Sequence, residues 1–222
     1  HACYKLAQFA NGEYLLFLDA DVRLNGSIIH RAVNFAINKN IDLFTIFPKQ
    51  MMFSFGEKIT VPIMNFILLS LLPLIFVRKS PFSSHAAANG QFMLFSKKSY
   101  SALEPHFYAK NHRVEDIAIA RYFKKNNKIV STHLGDDEIR CRMYENYYDS
   151  LNGFSKNIAE FFGNSFLIAF LFWFINTFGF IFVYYSLGYD LMMLIIISYI
   201  IIRIIVAHLS RQCINENLKY AI

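Results

Sequence analysis

Apolar positions along the chain change their period several times, and each change marks an element. Ala2, Leu6, Ala7 and Ala10 fall on one side of a helix over residues 2–10. Asn11-Gly12 then stops it, because glycine just past a helix accepts left-handed backbone. Glu13–Leu18 (EYLLFL) is a short and nearly continuous apolar run, which predicts a strand buried on both faces in a parallel sheet. A second helix is expected over Gly26–Asn38, with strands over Asp42–Phe47, Gln91–Ser96 and Lys128–Thr132. Arg113–Lys125 (RVEDIAIARYFKK) reads as an amphipathic helix whose basic end suits the macrodipole. Alternating helices and strands predict an α/β domain over residues 1–158.

The pattern then changes to a membrane type. No residue from Phe161 to Tyr189 is charged, and only Arg203 and His208 interrupt Leu191–Leu209. A bilayer span needs ~20 apolar residues. Residues 159–222 therefore read as a membrane region with two transmembrane helices, about 165–187 and 190–209, joined tightly at Gly188. Basic residues flank the pair and not the turn, which predicts a multi-pass protein of the cell membrane with both ends, and the α/β domain, on the cytoplasmic side. Arg203 is expected to reach toward the interface or a neighbouring helix. A third apolar stretch, 59–77, contains Pro62 and Pro73 and ends at Arg78-Lys79. A span there would separate Asp19 from Asp116, so one or two helices lying in the interface are expected.

Composition agrees. Of 222 residues, 55% are hydrophobic, 24 are Phe and only 17% are charged, so part of the surface is not built for water. The net charge of +6 comes without a Lys/Arg run or a nucleic-acid module, which favours anionic lipid or a diphosphate over nucleic acid as partner. Cys3, Cys141 and Cys213 have no metal-type spacing and read as isolated reduced thiols. His85, His106, His112 and His133 read as structural or solvated, Gly135-Asp136-Asp137 as a turn, and Lys124-Lys125 as a solvated helix end. The chain opens at His1 inside a helical pattern, and a preceding portion is expected.

The strongest chemical signal is Leu15-Leu16-Phe17-Leu18-Asp19-Ala20-Asp21. Carboxylates at i and i+2 of extended chain point the same way, here at the end of a strand where open α/β sheets bind ligands. Such hard oxygens suit Mg²⁺ or Mn²⁺ shared with substrate phosphates. A bare D-x-D is more often a capping or solvated pair; the preceding glycine-terminated helix and apolar strand give this one weight.

The segment HACYKLAQFANGEYLLFLDADVRL resembles the approach to the D-x-D motif of family-two glycosyltransferases, which have the GT-A fold. The resemblance implies that Asp21 is a direct metal ligand, with Asp19 near the donor ribose or acting through water. Glu115-Asp116-Ile117-Ala118-Ile119-Ala120 is similar to the family's E-D-x-x-L-A motif, whose Asp is the catalytic base; otherwise it is an acidic pair favoured at a helix start. Asn89-Gly90-Gln91-Phe92 resembles the G-Q-F segment on the acceptor side. Arg140-Cys141-Arg142-Met143-Tyr144 with Gly153-Phe154-Ser155-Lys156-Asn157 resembles the R-M-Y…G-W/F-S-K-N stretch of a bacterial subgroup that includes hopanoid-associated and carotenoid-ester enzymes. Arg142 and Lys156 would then neutralise the diphosphate leaving group, unless they only touch lipid headgroups. Leu151 stands where that subgroup carries Trp.

Together these imply a partial GT-A domain that lacks the nucleotide-binding half, followed by a membrane hairpin. The expected activity moves a sugar from a nucleotide-diphosphate sugar to a membrane lipid acceptor with inversion. The chain alone is not expected to hold the whole donor. The alternatives are a fragment of a processive polysaccharide synthase, which would want Q-x-x-R-W and more spans, and a non-catalytic membrane-anchored remnant.

Overall fold

A computed structural model of the chain describes residues 2–162 and 165–219, with backbone alone described at 156–161. The helices are α1 (Ala2–Phe9), α2 (Ile28–Asn38), α3 (Phe55–Leu71), α4 (Ile75–Lys79), α5 (Lys97–Leu103), α6 (Pro105–Tyr108), α7 (Glu115–Lys125), α8 (Tyr147–Phe161), α9 (Phe166–Leu187), α10 (Tyr189–Leu209) and α11 (Ile214–Lys219). The strands are β1 (Tyr14–Leu18), β2 (Val22–Leu24), β3 (Leu43–Phe47), β4 (Lys49–Gln50), β5 (Phe92–Ser96), β6 (Val130–Leu134) and β7 (Ile139–Cys141). The chain packs as two units, His1–Met51 with Leu71–Met143, and Met52–Ser70 with Tyr144–Ile222.

The first unit is mixed α/β. Its larger sheet has the order β1-β5-β3-β6. β5 runs antiparallel to β1 and β3, and β3 runs parallel to β6. β3 and β5 carry the buried centre: Leu43, Phe92 and Phe95 are fully enclosed. One face packs Phe44, Ile46, Phe92 and Leu94 with Ala32 and Ala36 of α2 and with Ile139 and Cys141. A second sheet, β2-β7-β4, lies beyond the end of β1. α7 buries Ile119, Ala120 and Phe123, the i, i+1, i+4 stripe of an amphipathic helix.

Three expectations change here. β1 is not buried on both faces: among the described residues it is a sheet edge, antiparallel to its neighbour, and only Leu15 is buried. The doubly buried strand is β3, every residue of which is enclosed. Gly12 does not take left-handed backbone; Gly26 and Gly188 are the described glycines with positive φ. Instead α1 closes with a bond from Ala10 N–H to the Ala7 carbonyl at 3.4 Å, one residue tighter than the helix repeat. Lys124 is not solvated: it is 6% exposed, and Nζ donates to the Ser80 carbonyl at 2.7 Å. Burial pushes its ammonium pKa below the ordinary value.

The second unit is helical. α9 and α10 have 22 and 21 residues, each long and apolar enough to cross a membrane. Gly188 joins them at φ 92°, ψ 175°, backbone that belongs to glycine. α9 buries none of its residues, and Phe166, Trp173, Phe182, Tyr185 and Leu187 are exposed along it. Such an apolar surface is unsuited to water. The 59–77 stretch becomes two helices broken around Pro73, α3 in this unit and α4 in the first, with Arg78 and Lys79 in the last turn of α4. α3 meets α8 where Gly56 faces Tyr147, and Thr60 Oγ1 donates to Ser150 Oγ at 2.8 Å.

Candidate active site

The site forms at the sheet end where β1 stops. Asp19 is the first residue past the strand, and the chain then turns, with Val22 N–H donating to the Asp19 carbonyl at 3.2 Å. Asp19 and Asp21 therefore share a tight turn, not the extended chain that the i, i+2 argument assumed. Both are exposed. Arg23 folds back over the turn, and its Nη1 donates to the Ala20 carbonyl at 3.0 Å.

The turn is tied to the Asn89-Gly90-Gln91 segment. Asp19 N–H donates to the Gln91 carbonyl at 3.2 Å. That segment is held from inside: Thr45 Oγ1 of β3 and the Asn89 backbone bond one another both ways at 3.0 Å, and Asn89 Oδ1 accepts from Gln91 N–H at 2.8 Å. Gly90 N–H in turn donates to Asp116 Oδ2 at 3.0 Å, while Ile117 N–H donates to Asp116 Oδ1 at 2.8 Å. Hydrogen bonds thus link the D-x-D turn to the first turn of α7, about a hundred residues later in the chain.

The electrostatics follow from that proximity. Burial pushes the half-buried Asp116 carboxyl up to about 6; its three backbone N–H bonds oppose the rise, and the charge of Asp19 adds to it. Asp19 is raised as well, first by desolvation and then by the charge of Asp21. Asp116 thus lies close enough to Asp19, and Asp19 to Asp21, for each charge to add to the rise that desolvation begins.

A buried polar chain backs Asp21. Gln50 Nε2 donates to Gln91 Oε1 at 3.2 Å, Gln91 Nε2 donates to Cys141 Sγ at 2.8 Å, and the Cys141 thiol donates to Asp21 Oδ2 at 3.1 Å. Burial and the Asp21 carboxylate push this thiol far above its ordinary range, so it stays protonated and a donor. Cys141 is thus a functional-site residue that its own sequence context does not reveal. Gln91 is 4% exposed, and its side chain enters this chain of bonds.

The other sequence candidates are placed differently. Gly90 lies over Asp116, and a Cβ there would meet Asp116 only at ordinary contact, 3.9 Å. Glu115 is exposed on the first turn of α7, next to Asp116 in the chain. Arg142 is exposed and follows Cys141 directly. Lys156 belongs to α8 in the other unit, and its side chain lies outside the described residues. In the Tyr144…Gly153-Phe154 stretch the signal is largely packing. Tyr144 and Phe154 meet edge to face at 5.0 Å, and the Tyr144 ring fills the place where Gly153 would carry a Cβ. Leu151 is 47% exposed.

No family model matches the chain. It is similar to a 4,4'-diaponeurosporenoate glycosyltransferase of Staphylococcus haemolyticus (strain JCSC1435), at 24% identity over 166 residues. The match takes in 72% of this chain and 43% of that protein, so the chain spans less than half the length of the curated relative it matches.

Proposed function

We propose that the chain carries the acceptor-side and catalytic part of a membrane-attached, GT-A-type glycosyltransferase that moves a sugar from a nucleotide-diphosphate sugar to a lipid-borne acceptor. The observation that supports this reading best is the convergence of Asp19 and Asp21 with Asp116, joined through Gln91 and Gly90. A D-x-D turn and a helix-borne carboxylate on one sheet end are what donor binding and base catalysis require together. The similarity to a glycosyltransferase named for a carotenoid acid, and the two membrane-length helices, support the lipid acceptor.

Asp21 and Asp19 are the groups to hold Mg²⁺ or Mn²⁺. The fit rests on their hard oxygen donors and on the nearness of the two carboxylates, felt at Asp19 as a rise that desolvation begins and the Asp21 charge increases. Among the described residues no group of three or more His, Cys, Asp or Glu forms a metal cage, so water and substrate phosphates would complete the shell. The cation, when bound, supplies positive charge against the diphosphate.

In the proposed step the acceptor oxygen attacks the anomeric carbon as its proton passes to Asp116. The bond from that carbon to the diphosphate breaks, and its electron pair leaves with the nucleoside diphosphate. One displacement inverts the centre. Arg142, which follows Cys141 in the chain, would stabilise the departing charge. Glu115 would tune the helix end from outside the cluster, and Gly90 would leave room for the acceptor above Asp116.

The test uses the full-length protein that contains this chain. Asp116→Asn and Asp21→Ala should each reduce release of nucleoside diphosphate by about a thousandfold or more, with normal membrane yield. Near-normal turnover in either variant rejects the role given to that residue. Turnover absent from the unaltered protein with every nucleotide sugar tried, in purified form, supports the non-catalytic remnant.

A further inference from the structure

The second unit buries a cation that the reading above does not use. Arg203 of α10 is 8% exposed although it sits in an apolar helix. Its neighbours Ile201, Ile202, Ile204 and Ile205 are all exposed, so the helix turns the charge inward. The guanidinium lies on the face of Phe66 from α3, 4.2 Å from the ring centroid. Nε and Nη2 both donate to Tyr199 Oη, at 3.1 and 2.7 Å. Among the described residues no carboxylate pairs with it.

A packing role explains the ring but not the charge. Leucine or methionine would fill the same place against Phe66 without burying a cation, and such replacements are often neutral or stabilising. A phenol dipole and an aromatic face offset only part of the desolvation. The geometry also leaves capacity. Among the described residues the Nη1 pair and one Nη2 proton have no acceptor, and Tyr199 Oη, which accepts twice, keeps its own proton to donate. These donors form a fork of the kind that grips a planar or tetrahedral oxyanion. Arg203 lies six residues before the end of α10, roughly 9 Å along the axis at 1.5 Å per residue. A helix of this length matches the ~30 Å hydrocarbon layer, so that depth lies within the acyl region, roughly a third of the way across from that end.

We propose that Arg203 and Tyr199, backed by Phe66, form a binding site for the terminal anionic group of a single-chain membrane amphiphile, a monoester phosphate or a carboxylate, and not for the phosphodiester of a bilayer phospholipid. The assignment of that amphiphile as the sugar acceptor rests on the proposed function; the binding itself does not.

The test is retention of radiolabelled probes by the protein in phosphatidylcholine nanodiscs. Farnesyl phosphate and farnesoic acid should bind roughly tenfold or more tighter than farnesol. Millimolar inorganic phosphate should not displace them, since it lacks the apolar chain. Arg203→Gln should lower both anions to the level of farnesol, Arg203→Lys and Tyr199→Phe should each cost several-fold, and Arg211→Gln should leave binding unchanged. If Arg203→Gln fails to fold, Arg203→Lys and Tyr199→Phe carry the test, since each keeps the charge and the ring contact. Equal binding of farnesol and farnesyl phosphate, or discrimination that survives these variants, overturns the proposal. So does full displacement by phosphatidylglycerol at one third of the bilayer, which would make the site a general headgroup contact. Transfer without anion preference would sink this site and leave the transferase reading standing; anion binding without any transfer would do the reverse.

Discussion

Asp116 carries opposite demands on one carboxyl. A base must be ionised, yet burial holds this group protonated up to about pH 6. The expected profile of kcat/KM in the full-length enzyme therefore falls about tenfold per pH unit below 6 and levels off above it. A flat profile from pH 5 to 7 would remove Asp116 from the base role. The stability sign runs the other way. The folded state keeps a proton that the unfolded chain loses above its ordinary value of 3.8, so stability is highest below that pH and declines as pH rises to about 6. The decline amounts to at most about 3 kcal/mol. Asp116→Asn relieves that cost but turns an amide N–H₂ toward a backbone N–H, which costs ~1–3 kcal/mol. The two nearly cancel, so its Tm should move by only a few degrees. Cys141 makes a second prediction. Cys141→Ala strips Gln91 Nε2 and Asp21 Oδ2 of a partner at once, and it should raise the divalent-cation concentration for half-maximal transfer by about tenfold. Cys141→Ser, which can keep both bonds, should restore most of it, and an unchanged cation requirement in the alanine variant would show Asp21 needs no such support. Asp19, Asp21 and Asp116 were legible because their motifs are local. Cys141 was not, since its partner lies 120 positions away and only tertiary contact makes an isolated thiol a donor to a carboxylate.

At the scale of elements, period and punctuation predicted helix and strand well and neighbours poorly. The run EYLLFL is as apolar as LFTIF, yet β1 is an edge and β3 a buried centre. The difference lies in β5 and β6, which pair with β3 on both sides and are distant in sequence. Lys124 misled for the same reason: a basic helix end looks solvated until the Ser80 carbonyl is brought beneath it. Close packing also sets requirements that no propensity reveals. Gly135 has ordinary backbone, but a Cβ on it would stand 2.6 Å from Ile139 Cγ2 and 3.0 Å from the Phe47 carbonyl. Gly135→Ala should therefore cost ~1–3 kcal/mol through overpacking. Ile139→Leu removes the branch methyl that clashes, so the double variant should be more stable than the two single costs imply. Strict additivity in thermal melts would show that the strain is borne by the Phe47 carbonyl instead.

At the scale of the whole molecule, two kinds of surface meet in one sequence: the two long apolar helices were legible from charge alone, but the expected division at residue 158 was not the one found, since the second unit takes in Met52–Ser70 and begins again at Tyr144. The expected spans, 165–187 and 190–209, differ from α9 and α10 by a residue at one end of each. The grouping of α3 with the C-terminal helices was not legible, because it depends on contacts such as Gly56 with Tyr147 and Phe66 with Tyr199 that no periodicity encodes. A hairpin of two spans makes a definite topological demand: its turn lies across the bilayer from both of its ends. Cys213, exposed just past α10, reports one end, and Tyr189→Cys reports the turn. In a Cys3→Ser background, a membrane-impermeant maleimide should modify Cys213 in inside-out vesicles and spare it in right-side-out cells, the outcome expected if the basic residues at both flanks set the orientation. Tyr189→Cys should show the opposite pattern. Modification of both thiols from the same side would mean that α9 and α10 lie on the membrane without crossing it. Arg203 would then face the water–lipid boundary sideways, and a lipid-borne acceptor would have to approach from the interface and not from within the bilayer.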